Sequence, residues 1–114
     1  MKKYILGLLV LLGVTISAQE STPKVKTELG VIRGVYEDGV DSFKGIPFAA
    51  PPVGEFRWRA PQPLSRWEGE LDATEYGANC AQSGWGGAPG TISEGSSEDC
   101  LYLNIWKPAD ANTG

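Results

Sequence analysis

Histidine is absent from these 114 residues, and that gap removes much of the chemistry a small protein can perform. A serine or cysteine nucleophile needs a neighbouring base, and imidazole is the usual one at neutral pH. Two cysteines without histidine also fall short of a metal site, which wants more soft ligands than two thiolates. No metal and no cofactor is therefore expected. A surplus of basic charge is missing too: 10 Lys and Arg stand against 14 Asp and Glu, a formal net charge of −4. Without a basic stripe to neutralise phosphates, nucleic acid is excluded as a partner, and the scattered acids read as solvated surface. Long hydrophobic runs are lacking as well. The one apolar stretch, Tyr4 to Val14, is short of the roughly 20 residues that a membrane-spanning helix requires.

What stands at the N-terminus is a secretory leader. Lys2 and Lys3 make the positive region, Tyr4 to Val14 the apolar region, and Ser17-Ala18 the small residues before a cleavage expected ahead of Gln19. Residues 1–18 are thus read as a helical signal peptide and 19–114 as the mature portion of an exported protein, periplasmic or extracellular, with no membrane anchor after cleavage. Losing two lysines with the leader moves the formal charge from −4 to −6. In an oxidising compartment the even pair Cys80 and Cys100 is expected to form a disulfide.

Along the mature portion, Lys24–Thr27 and Val31–Tyr36 are β-prone. Glu37-Asp38-Gly39 is an acidic turn leading into Val40–Ile46, so residues 31–46 predict an antiparallel hairpin. The character then changes. Pro47, Pro51, Pro52, Pro61 and Pro63 forbid a helix and deny a central strand its ladder donors, while Phe48, Phe56, Trp58 and Trp67 among them predict an ordered connector packed on a body. Gln82–Ser97 is rich in glycine and serine and reads as a surface loop tied at both ends. Its Gly84-Trp85-Gly86-Gly87 run is not a dinucleotide fingerprint, because Pro89 stands at the third glycine position and no strand-then-helix pattern surrounds it. Leu101, Leu103 and Ile105 alternate with Tyr102, Asn104 and Trp106, a period-2 strand expected to end at Lys107-Pro108 and to pair with the hairpin.

Several of these segments carry a family likeness. Gly30-x-Ile32-x-Gly34, then Phe43-Lys44-Gly45-Ile46-Pro47-Phe48-Ala49-Ala50-Pro51-Pro52-Val53-Gly54 with Arg57-Trp58, are followed by Pro61-x-Pro63, Trp67-x-Gly69 and Cys80-x-Gln82. The series closes with Glu98-Asp99-Cys100-Leu101-Tyr102-Leu103-Asn104-Ile105-Trp106-Lys107-Pro108. In that order and spacing the chain resembles the N-terminal part of the type-B carboxylesterase and cholinesterase family. The resemblance implies an α/β class: the N-terminal antiparallel β portion of an α/β-hydrolase fold, here mostly strands and ordered loops rich in proline and glycine. It implies a bridge between Cys80 and Cys100, a loop between them at the rim of the active-site gorge, and therefore a substrate-facing Trp85, for which a purely structural packing role is the competing reading. It also implies an ion pair between Arg57 and Glu98 in which the planar guanidinium grips the carboxylate at two points.

The family's chemistry is ester hydrolysis by a serine aided by a histidine base, an acid and oxyanion-binding amides. No catalytic residue is expected in this chain. The Gly-x-Ser-x-Gly elbow is missing, since Gly95-Ser96-Ser97 is followed by Glu98-Asp99 and Ser93 has Thr91 two places before it. The resulting expectation is an exported carboxylic-ester hydrolase, acting on small-molecule esters in its full length, of which only an inactive N-terminal segment is present. The alternative is a non-catalytic secreted binding module related to the family.

Overall fold

The computed structural model describes residues 22–84, 87–88 and 90–111. The leader expected at 1–18 and Trp85 lie outside the described residues. The elements are β1 (Lys24–Lys26), β2 (Val31–Arg33), β3 (Val35–Glu37), β4 (Val40–Pro47), a 3-10 turn at Gly54–Phe56, β5 (Glu70–Asp72), β6 (Asn79–Cys80), β7 (Ser96–Ser97) and β8 (Tyr102–Pro108). They assemble as three sheets in the orders β1-β2-β5, β3-β4-β8 and β6-β7.

The hairpin forms, but over a shorter span than residues 31–46. β3 pairs antiparallel with β4 through Val35↔Ser42, Tyr36↔Asp41 and Glu37↔Val40, leaving Asp38 and Gly39 as a two-residue loop. Their φ angles of 50° and 81° are the paired left-handed values that suit the right-handed twist of the flanking strands. The β-prone run Val31–Tyr36 breaks at Gly34. Upstream of it β2 joins β1 and β5; downstream β3 joins β4. A Cβ at Gly34 would overlap the Ser42 carbonyl and the Phe43 ring, so the chain crosses between sheets where only a bare backbone fits.

β4 is the hub. It pairs antiparallel with β8 from Val40↔Pro108 to Phe43↔Ile105, then from Ile46↔Leu103 to Pro47↔Tyr102, with a shift of register between Phe43 and Ile46. That shift is a bulge. Lys44 turns its amide away from β8 to the Ala73 carbonyl (2.8 Å), and Gly45, at φ 64°, donates to Asn104 Oδ1 (2.8 Å). The bulge therefore ties one sheet to the segment following β5 in the other.

β8 ends at Lys107-Pro108 as expected, and both residues are still paired with β4. Ala109 N donates to Gly39 O (2.8 Å), and the alternation of an antiparallel ladder then makes Asp41/Lys107 and Phe43/Ile105 the hydrogen-bonded pairs. Pro108 falls at an outward position, where a missing N–H removes no ladder bond. Across the same ladder Lys107 Nζ meets Asp41 Oδ2 at 2.7 Å, which satisfies the charge of a largely buried Asp41.

The core is small. Ile32 from β2, Phe43 and Ile46 from β4, and Ala73 after β5 are buried, with Trp67 and Leu71 packed against them. Burying each Ile or Phe contributes about 1.5–3 kcal/mol. Of the connector's aromatics only Trp67 is held inside, its Nε1 donating to Val31 O at 3.0 Å. Phe48 is 51% exposed and Trp58 98% exposed, against the expectation that all four would be covered, because none of the described segments lies over them.

Gly39 and Gly45 both sit in the left-handed region, but a Cβ meets nothing at Gly39 and lies 2.6 Å from the Glu75 carbonyl oxygen at Gly45. Gly39→Ala is expected to cost about 1 kcal/mol and Gly45→Ala about 3 kcal/mol or more, since overpacking adds to the strain. Urea unfolding of the two variants checks this, and equal losses would show that the bulge is not tightly held.

Candidate functional site

The residues that the sequence singled out converge on one region, the loop closed by the two cysteines. Cys80 and Cys100 are joined by a disulfide with their Cα atoms 5.0 Å apart. β6 and β7 run parallel beside it, Asn79↔Ser96 and Cys80↔Ser97, and Ala81 N donates to Ser97 O at 3.0 Å. The loop has internal order despite its glycines. Ser93 donates through its amide (2.8 Å) and hydroxyl (3.1 Å) to Gln82 O, and its Oγ lies 2.6 Å from Ser96 Oγ.

Arg57 Nη2 contacts Glu98 Oε1, so the Pro-rich connector is tied to the loop next to the disulfide. The contact is a single one and not the two-point grip expected. Both side chains are about half exposed, 55% and 42%, and water screens such a pair to less than about 1 kcal/mol. The covalent bridge is the stronger tie.

A second tie was not foreseen. Ser97 Oγ accepts from the Asp99 amide (3.1 Å), and Tyr102 OH donates to Asp99 Oδ1 (3.0 Å). The Ser-x-Asp spacing is the available signal, because a serine hydroxyl two residues ahead of an amide often closes such a turn. Burial, then the hydrogen bond to Asp99 and its negative charge, hold the Tyr102 phenol above the ordinary tyrosine value of 10.0.

Beside the disulfide lies an open groove of about 520 Å³, lined by Tyr76, Asn79, Gln82, Tyr102 and Asn104 among others. Its walls offer amides and phenols, and the chain has no histidine to serve as base. The hydroxyls of Ser93 and Ser96 face each other and not a base. Among the described residues no three of Cys, Asp and Glu are placed to hold a metal ion. Among the described residues the geometry is that of a braced loop, with no assembled nucleophile.

A model of the carboxylesterase family matches residues 21–114, almost the entire chain beyond the leader region. This chain belongs to the carboxylesterase family. Among its carboxylesterase relatives, the fumonisin B1 esterase of Sphingopyxis macrogoltabida is 43% identical over 104 residues, covering 90% of this chain and 19% of that protein. The para-nitrobenzyl esterase of Bacillus subtilis is 47% identical over 85 residues, 74% of this chain and 17% of its own length. The crystal structure of Aspergillus niger EstA superimposes with a TM-score of 0.69 at 36% identity, over 80% of this chain and 17% of that one. The chain thus spans about a fifth of the length of the relatives it matches, and its strands are the N-terminal β portion of an α/β-hydrolase esterase.

Replacing both Cys80 and Cys100 by serine opens a loop of 20 residues and is expected to cost about 3 kcal/mol in the chain-entropy account, whereas Arg57→Met costs less than about 1 kcal/mol. Denaturant midpoints at constant m-value would test the order, and a larger loss from Arg57→Met would reverse it. Because the fold favours the neutral Tyr102 phenol, its contribution is fully present below pH 10 and is lost as pH rises through the raised value. Tyr102→Phe should therefore be less stable than the wild type at pH 8 and close to it in strong alkali, a convergence that pH-dependent unfolding would reveal.

Proposed function

We propose that the chain is the N-terminal portion of an exported serine carboxylesterase and that, taken by itself, it hydrolyses nothing. The supporting observation is a family match over residues 21–114 in a sequence with no histidine. Acyl transfer at neutral pH requires a base to take the serine proton and return it to the leaving alcohol. Donors must also be held where the tetrahedral oxyanion develops. Neither is built from the residues described, so the nucleophile, base and oxyanion donors belong to the larger part of the esterase length.

What this portion contributes is the frame beside that machinery. The disulfide, the Ser97–Asp99–Tyr102 contacts and the Arg57–Glu98 pair hold the loop 81–99 against β8, and the reading assigns Trp85 of that loop as the residue facing substrate. Relatives named for fumonisin B1 and for para-nitrobenzyl esters support small-molecule carboxylic esters as the substrate class. Export is supported by the leader pattern at 1–18 and by the disulfide, a bond favoured in oxidising compartments.

A chimera decides the matter: residues 22–114 replacing the matched segment of the Bacillus subtilis para-nitrobenzyl esterase. Hydrolysis of p-nitrophenyl acetate by the chimera, blocked by a serine-directed organophosphate and absent from the 114-residue chain, is the expected result. A folded but inactive chimera, or inhibitor-sensitive turnover by the short chain, contradicts the reading.

A further inference from the structure

The face of β8 that carries Tyr102, Asn104 and Trp106 opens onto two grooves that meet at Tyr76. One is the groove of about 520 Å³ beside the disulfide. The other, of about 300 Å³, continues toward the hairpin turn, where Trp106, Lys44, Glu37 and Asp38 line it. The strand register explains this second groove. Glu37 pairs with Val40 and Trp106 with Ser42; Val40 and Ser42 stand two apart on β4, so the carboxylate and the indole share a face. Tyr76 reaches the same face from the segment between β5 and β6, its ring 6.3 Å from that of Trp106 and inclined to it by 45°. A loop of this chain thus walls the trough.

Its lining alternates flat aromatic surface with hydrogen-bonding side chains. Trp106 is 52% exposed and Tyr76 62%. At the disulfide end Asn79 and Gln82 bring side-chain amides, each both donor and acceptor. Asn104 Oδ1 accepts from the Gly45 amide at 2.8 Å, which fixes that side chain and leaves its NH2 group to donate. At the hairpin end neither Glu37 nor Asp38 enters an ion pair among the described residues, so their oxygens are acceptors facing the trough. This mixture selects among guests. A lipid or other apolar guest would leave the amides of Asn79 and Gln82 without partners. An anion is opposed by Glu37 and Asp38, and a cation meets the Lys44 ammonium already seated 5.1 Å from the Tyr76 ring centroid. A neutral sugar matches both surfaces: its hydroxyls donate to carboxylates and accept from amides, and its C–H face rests on the negative face of an aromatic ring.

We propose that the trough along β8 binds an extended chain of neutral pyranose sugars, one ring stacked on Trp106 and the next ones hydrogen-bonded by Asn104, Asn79 and Gln82. The run from Tyr102 to Trp106 spans about 13 Å at the rise of a strand, the length of a few linked sugar rings. Because the trough follows a straight strand, it suits the flat ribbon of a β-1,4-linked chain and not the coil of an α-1,4-linked one. Glu37 and Asp38 hold the hydroxyls of the terminal ring.

The test titrates cellotetraose into the isotope-labelled 114-residue chain and follows its resonances. Saturable shifts are expected at the Trp106 indole and at the side-chain amides of Asn79, Gln82 and Asn104, while Ile105 and Lys107, on the opposite face, stay still. Trp106→Ala should weaken binding about tenfold. Ile105→Ala, which also removes a half-exposed apolar side chain from β8 but from the other face, should leave it unchanged. Maltotetraose, the coiled α-linked chain, should bind about tenfold more weakly than cellotetraose. Circular dichroism and the retained disulfide verify that both variants fold, and the wild-type shift pattern stands as evidence without them. Absence of saturable shifts at millimolar cellotetraose, shifts confined to other residues, equal losses in the two variants, or equal binding of maltotetraose would overturn the proposal. The trough is built from this chain's residues alone, so its failure leaves the esterase assignment in place, and an inactive chimera leaves the trough in place.

Discussion

Everything described in this chain depends on the pairing of β4 with β8, two strands separated by more than fifty residues of connector and loop. The ladder fixes Phe43 and Ile46 in the core and brings Cys100, just before β8, to the place where Cys80 can bond to it. The bulge within the ladder frees the Lys44 amide for Ala73 and so fastens the β1-β2-β5 sheet to the hub. Closing so long a loop costs chain entropy before any contact is made. The disulfide, the Asp41–Lys107 pair and the apolar contacts offset that cost together, and no one of them is large.

The same ladder explains how the described residues build a frame. Among the described residues its core cluster is Ile32, Phe43, Ile46 and Ala73 with two partial neighbours, and much of its apolar surface, Trp58, Ile92 and Tyr76 above all, faces outward. Small domains bury a modest fraction of their surface even when complete. One whose strand β8 leaves Ile105 and Trp106 about half exposed has its stability tied to what covers them. Membership of the carboxylesterase family and a span of about a fifth of its relatives fit that physical picture.

Local chemistry was legible in the sequence where a short pattern determines geometry. Asp38-Gly39 announced the hairpin turn, alternation announced β8, and the Arg57–Glu98 contact followed from family resemblance. Features set by distant contacts were hidden. The split of Val31–Tyr36 at Gly34 arises because the Phe43 ring and Ser42 carbonyl crowd that point, which no local pattern records. Pro108 ends β8 as its sequence suggested, but its pairing with Val40 depends on its place in the pleat, where a missing N–H removes no ladder bond. The exposure of Trp58, 98%, runs against its composition, because burial depends on which surface is available and not on the side chain alone.

The central claim, a frame organised on the β4–β8 ladder with one side of β8 open, is tested most directly by amide hydrogen exchange on the chain alone, resolved by residue. Slow exchange at Phe43, Ile105 and Lys107, with Asn104 and Trp106 exchanging far faster between them, is the pattern predicted by an inward-outward alternation with an open edge. Equal protection along the whole of β8, or protection concentrated away from β4 and β8, would contradict it.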